Sequence, residues 1–262
     1  DLPVFTLLLI SCVPLEVASR FARSLHRGFG TGSAQRAADA DTPLEGDAWS
    51  GMKAVFASPY LLGIASFIAL MTFASTILYF AQSDLVYAAM TDRGERRAFL
   101  ARIDLVVNVL TIIFELYLTA RIIRWFGVGV TLALVPVAVA VGFVALGLYP
   151  TLWTLVVVQV LYRSGRYGLA KPAREVLFTV VSREEKYKSK AFIDAAVYRG
   201  GDLVSGWVYA GLAAVGLTLG SIAILAAPMA AIWTVIALRL GASGELLAAQ
   251  KSPAEGTDGG LA

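Results

Sequence analysis

The chain has 262 residues, of which 58% are hydrophobic and only 16% charged, with a formal net charge of +3 and a mean hydropathy of +0.71. A soluble globular domain carries about 25% charged residues, so the composition excludes that class and points to an all-α integral membrane protein. One cysteine (Cys12) and one histidine (His26) exclude a disulfide framework, a thiolate metal cluster, a His-based metal site and a Ser-His-Asp triad.

No G-x-x-x-x-G-K-[ST] loop is present, so ATP hydrolysis by that machinery is excluded as well. No enzymatic activity and no cofactor are expected. In chain order, residues 1–17 form an apolar stub, expected to be the end of a preceding transmembrane helix. Residues 18–57 are rich in Gly, Ala, Ser and Asp and are expected to be a cytoplasmic linker; Gly28, Gly30 and Gly32 alternate there but follow no strand. Residues 58–238 then hold six apolar stretches, near 58–83, 103–123, 128–149, 151–171, 190–215 and 218–238. Each comes close to or exceeds the roughly 20 residues that cross a bilayer. Residues 239–262 have the polar, Gly- and Pro-containing composition of a disordered tail.

Most of the Lys and Arg fall on one side of these spans: in the linker, in the turn of Arg121 and Arg124, in residues 163–190 and in the tail. The opposite side has Arg93, Arg96, Arg97 and Arg102. The richer side, with the linker and the tail, is therefore expected to be cytoplasmic.

The charged segment from Arg163 to Asp202 is the richest in candidate chemistry. Arg163 and Arg166 are three residues apart on one helix face, and Lys171-Pro172-Ala173-Arg174 follows where Pro172 bends or ends the helix. Four cations in twelve residues suit an anionic substrate, since Arg offers paired donors to phosphate or carboxylate. For Lys171 and Arg174 the alternative is a positive anchor at a helix end. Ser182-Arg183-Glu184-Glu185 fits a capping box, so a helix should begin near Arg183. Within it Lys190 is placed to pair with Asp194 at i,i+4.

Deeper in the same span, Arg199-Gly200-Gly201-Asp202 puts opposite charges three residues apart beside glycines that permit close approach. Either a structural ion pair or a gating pair would fit, buried in both cases. Asp84, Asp104, Asn108 and Glu115 are the acidic and amide groups on the earlier spans, and Glu115 is the expected buried partner of an arginine or a proton-linked carboxylate. Asp84, Glu115, Asp194, Arg199 and Asp202 are thus the candidate gating or coupling charges. Arg163, Arg166, Lys171 and Arg174 are the candidate substrate ligands.

Two blocks carry a resemblance. Leu118-Thr-Ala-Arg-Ile-Ile-Arg-Trp-Phe-Gly-Val-Gly129 resembles the short cytoplasmic turn between the second and third helices of a major-facilitator-type half. The version it resembles is that of the ATP/ADP translocase family of plastids and intracellular bacteria, and of its bacterial relatives. Arg166-Tyr-Gly-Leu-Ala-Lys-Pro-Ala-Arg-Glu-Val-Leu-Phe178, with residues 186–202, is similar to the segment joining that family's tenth and eleventh helices. The resemblance covers about residues 58–238. It implies the six-helix half of a twelve-helix transporter working by alternating access, with a missing amino-terminal half as its partner and membrane lipid around it. An organic anion or a nucleotide is the implied substrate, and a bacterial inner membrane the implied location. Nucleic acid is not an expected partner.

The family's nucleotide exchangers are expected to use a Glu on the first span of this half and a Lys after the glycine of the fifth. Here Tyr79 and Phe80 stand near the former position and Asp202 near the latter, so nucleotide exchange is less specifically implied than transport. A non-transporting membrane anchor or scaffold is the alternative reading.

Overall fold

The computed structural model describes residues 48–251, together with residues 16, 17, 19, 20, 21 and 24. The expected stub at 1–17 and most of the linker lie outside the described residues. The contacts divide the chain into a unit Asp1–Glu45 and a unit Gly46–Ala262. In the first, Arg20 Nε lies 2.8 Å from Glu16. The second contains residues 48–251.

The described residues form helices and turns with no strand. They are α1 (Ala48–Ala57), α2 (Pro59–Ala89), α3 (Arg93–Ile113), α4 (Thr119–Leu148), α5 (Leu152–Gly165), α6 (Lys171–Leu177), α7 (Arg183–Phe192), α8 (Tyr198–Ala214) and α9 (Leu219–Lys251). Five-residue π-helical turns at Phe114–Leu118, Arg166–Ala170 and Ile193–Val197 join α3 to α4, α5 to α6 and α7 to α8 without a break.

Local chemistry starts these helices. Ser58 accepts from the Leu61 N–H and Pro59 follows at the first turn, where its missing donor is harmless. Asp92 accepts from the Glu95 N–H at 2.8 Å, and Thr151 from the Thr154 N–H at 3.2 Å. The capping box at Ser182 forms as expected, with Ser182 and Glu185 each taking the other's backbone N–H at 3.2 Å. Thr218 accepts from the Ser221 N–H before α9.

Among the described residues, three helical runs are long and apolar enough to cross a membrane: Pro59–Ala89, Arg93–Leu148 and Leu219–Gln250. The second, at 56 residues, would be about 84 Å long if straight. It is not straight, because Gly127 leaves the helix at φ +80° and ψ 172°, a backbone conformation that glycine adopts without strain. The run therefore turns where the sequence places the Arg121/Arg124 turn.

The main packing pairs between rods are unchanged when the first three long rods (α2; α3 with its extension to 126; 128–148) are exchanged in order with the last three (α5–α6; α7–α8; α9); a small α6–α9 contact is the exception. Thus α2 meets α8 as α5 meets α3, α2 meets α9 as α5 meets α4, and α2·α5 and α4·α9 map onto themselves. The most extensive of these interfaces joins α4 and α9. Small residues make it possible: a Cβ on Gly129 would sit 3.1 Å from the Gly241 Cα, and one on Gly220 would sit 3.0 Å from the Gly147 carbonyl oxygen. Between those ends Ala223, Ala226, Ala230, Trp233 and Ala237 are buried at three- and four-residue spacing, with the Trp233 ring against Phe67 of α2. Large apolar side chains such as Leu105, Trp153, Val157, Leu203 and Trp207 stay exposed, as lipid-facing surfaces do.

Two sequence expectations are corrected. Residues 239–251 are not a disordered tail but the last turns of α9, since Gly241 and Gly244 pack against α4 and Tyr60. Residues 48–57 are not free linker: α1 lies on α7, and Gly51 is what lets it, because a Cβ there would stand 2.5 Å from the Lys188 carbonyl oxygen. Residues 252–262 lie outside the described residues.

Candidate functional site

The π-turn Arg166–Ala170 widens the helix between α5 and α6, and two neighbours hold it open. Thr119 donates to the Gly168 carbonyl, and Gly168 abuts Phe114 so closely that a Cβ would overlap it. Such turns accompany functional positions because they turn side chains out of helical register. Here Arg166 reaches Ser75 Oγ at 3.1 Å and Tyr162 Oη at 3.4 Å. The Tyr162 hydroxyl in turn donates to the Met71 carbonyl at 2.9 Å.

Next to this turn lies a cavity of about 250 Å³. Arg166, Lys171 and Arg174 line it from α5–α6, Phe67 and Met71 from α2, and Asp194 and Tyr198 from the third π-turn and the start of α8. Arg174 donates to Tyr198 Oη at 2.8 Å, while its Nε is buried without a partner. The Tyr198 ring stands 5.8 Å from the Arg174 guanidinium and 5.9 Å from that of Arg166. None of these three cations forms an ion pair with a carboxylate among the described residues.

The other candidates are placed as follows. Arg163 is outside the cavity and pairs with Asp104 at 2.6 Å, so it is engaged by a protein carboxylate where a substrate anion was expected. Asp84 is exposed on α2 and accepts from Tyr209 Oη of α8 at 2.9 Å. Asp194 is exposed but borders the cavity.

Glu115 is exposed, which corrects the expectation of a buried arginine partner: in its π-turn Phe114 and Thr119 take the packed positions against Gly168. Arg199 and Asp202 are also exposed, and neither forms an ion pair among the described residues. The physical reason is helical phase. Gly201, Ser205 and Tyr209 form the face of α8 packed on α2, with Gly201 against Thr72, and Arg199, two residues back, points almost the opposite way.

Lys190 likewise pairs across helices instead of along its own. Its ammonium lies 2.8 Å from both carboxylate oxygens of Glu175, tying α7 to α6, and not on Asp194. Burial alone would raise the Glu175 carboxyl, but the hydrogen bonds and charge of Lys190, with Arg174 and Lys186 nearby, hold it below its ordinary value.

The aromatic and hydroxyl members of the site (Phe67, Ser75, Tyr162, Tyr167, Tyr198) were not singled out from the sequence. A signal existed for two of them, since Tyr167 directly follows Arg166 and Tyr198 directly precedes Arg199. Comparison of the chain with family models, with curated proteins and with solved structures finds no match. What the fold defines is an all-helical protein with three runs long and apolar enough to cross a membrane among the described residues.

Proposed function

We propose that the chain is one six-helix half of a secondary transporter of the major-facilitator type, and that its cavity between α2, α5–α6 and the start of α8 holds the anionic part of the cargo. The observation that carries this reading is the convergence of Arg166, Lys171 and Arg174 on one cavity with Asp194 as the one acidic side chain among its lining residues. Three cations left without carboxylate partners in a half-buried site repel one another, and an arriving anion relieves that repulsion. Guanidinium forks suit phosphate or carboxylate oxygens, and the Tyr198 and Phe67 rings offer flat apolar surface to an organic body.

The matching of the main packing pairs under that exchange supports a repeat of three rods. With Gly127 dividing the long run, six rods cross the bilayer; three crossings is an odd number, so the second repeat is inverted with respect to the first, as in transporters whose sites lie at a repeat interface. The Lys/Arg-rich ends, including the Glu175–Lys190 clamp, then face the cytoplasm of a bacterial inner membrane. The resemblance to the ATP/ADP exchangers makes a nucleotide the first cargo to test.

The deciding experiment is ADP binding to the purified chain in phosphatidylcholine nanodiscs, alongside uptake of radiolabelled ADP by proteoliposomes that hold the chain together with its other half and are loaded with unlabelled ADP. Both signals should fall at least about tenfold in the Arg166→Gln/Arg174→Gln variant and persist in Arg183→Gln. A correctly folded protein that neither binds nor accumulates ADP, inorganic phosphate or a dicarboxylate overturns the reading and leaves a membrane anchor or scaffold.

A further inference from the structure

A second cavity, of about 500 Å³, opens at the other end of α2, and Arg93, Arg96 and Arg97 from the first turns of α3 line it together with Tyr79, Gln82 and Tyr87 of α2. These three arginines make no ion pair among the described residues. Asp92, next to Arg93, is occupied as the helix cap, and the exposed Glu95 of the same turn neither lines the cavity nor pairs with any of the three. Arg96 is held in place, its guanidinium 4.2 Å over the Tyr87 ring and its Nη1 3.4 Å from the Met90 carbonyl oxygen.

Their position is electrostatically unfavourable, and Glu95 is the one acidic side chain in that first turn to offset it. The first turn of a helix carries exposed N–H groups and a partial positive charge, which disfavours cations and favours anions. Three guanidinium groups at such a place, around a cavity, are the arrangement that an anion stabilises.

The two cavities share one wall. Phe67 and Met71 line the first, Ser75 binds Arg166, and Tyr79, Gln82 and Val86 line the second. These positions recur every three or four residues and so form one stripe along α2. Met71 and Gln82 are about 16 Å apart along the axis, and the remaining gap from Ser75 to Tyr79 is about one turn. Along the stripe's flank, Leu100 of α3 lines the second cavity, Asp104 lies one turn further on, and its partner Arg163 is three residues from Arg166.

We propose that the arginine-lined cavity is a second anion site, taking a phosphate-type polyanion at the far end of the stripe that also lines the first. Its binding stands on its own residues. Its role as a second station for the same cargo rests on the anion-site reading of the first cavity, with the Arg163–Asp104 pair set between the two. The same phosphate chemistry comes from a free polyanion or from the headgroup of an anionic lipid.

The test is titration calorimetry of the full chain in phosphatidylcholine nanodiscs with inorganic pyrophosphate as the probe. Two pyrophosphates per chain are expected. Arg93→Gln/Arg97→Gln should remove one and leave the other, and Arg166→Gln/Arg174→Gln should do the reverse. Arg93→Lys/Arg97→Lys, which keeps the charge and loses the forks, should retain the second site with several-fold weaker affinity; circular dichroism and gel filtration report folding of each variant.

In phosphatidylglycerol nanodiscs, loss of the second pyrophosphate, together with phosphatidylglycerol that co-purifies with the wild type and not with the Gln variant, assigns the site to a lipid headgroup. Unchanged pyrophosphate stoichiometry in folded Arg93→Gln/Arg97→Gln overturns the second site, as does absence of both pyrophosphate and lipid binding there. If only the Arg166→Gln/Arg174→Gln variant keeps both pyrophosphates, the second site stands and the reading of the first cavity fails.

Discussion

Arg163 Nη1 lies 2.6 Å from Asp104 Oδ1, joining α5 to α3. Each residue is eleven positions into its helix, about 16 Å from the end at which α3 and α5 begin. Their side chains are 33% and 54% exposed, so the pair gains about 1 kcal/mol or less where water reaches it. Removing either partner leaves a charge unpaired between two apolar helices. Asp104→Asn and Arg163→Gln should each lower Tm by roughly 2–4 °C, and the swap Asp104→Arg/Arg163→Asp should restore most of it. Thermal unfolding in detergent checks this; a swap less stable than either single variant would show that the pair is incidental.

The α4–α9 interface makes a sharper prediction about glycine. A Cβ on Gly241 would overlap Gly129, whereas one on Gly200 or Gly211 would meet nothing within 4 Å. Gly241→Val should therefore cost at least about 1–3 kcal/mol through overpacking, with low yield of folded protein. Gly200→Ala and Gly211→Ala should be neutral or slightly stabilising, because alanine favours helix by about 1 kcal/mol. Expression and Tm of the three variants distinguish close helix contact from a general intolerance of substitution.

Much of this is legible in the sequence, and the failures have specific causes. Hydropathy locates the rods because lipid demands long apolar runs, but it misplaces their ends: α3 begins at Arg93 and α9 ends at Lys251, where charged and polar residues continue a helix outside the apolar window. The clustering of Arg166, Lys171 and Arg174 within nine residues made their common site legible. The position of Arg163 was not, since its partner Asp104 is 59 residues away and no spacing rule connects them. For Arg199 and Asp202 the spacing tells that they share a face, yet the face itself is set by Gly201 against Thr72. The π-turns leave no periodic signature, so the loss of register at Glu115 and Asp194 could not be read in advance.

The Glu175–Lys190 clamp between α6 and α7 should respond to acid. The Glu175 carboxyl is held below its ordinary value of 4.5. A carboxyl with a lowered folded value contributes stability that is fully present above its unfolded value and is lost as pH falls through the folded one. The Tm difference between wild type and Glu175→Gln should thus be constant from pH 7 down to about 5.5 and shrink below 4.5. The side chains are 41% and 34% exposed, so the difference should also be modest and diminish in high salt. A difference that persists unchanged in acid would mean that Glu175 acts through packing instead of charge.

The last prediction separates positioning from charge in the first cavity. Tyr198 accepts from Arg174 at 2.8 Å and lies within 6 Å of two guanidinium groups, while Arg174 Nε is buried without a partner. Tyr198→Phe keeps the ring and its cation–π contacts but removes the acceptor, leaving a second donor of Arg174 unsatisfied. If the hydroxyl orients Arg174 toward cargo, ADP affinity should fall about three- to tenfold, from the loss of one hydrogen bond to a charged group. Arg174→Lys should lose at least as much, because a point charge cannot replace the fork. Tyr198→Ala, which also removes the ring, should lose more than Tyr198→Phe by the share the cation–π contacts carry. Equal affinity in Tyr198→Phe and wild type, with lower affinity only in Tyr198→Ala, would assign the residue's role to its ring alone.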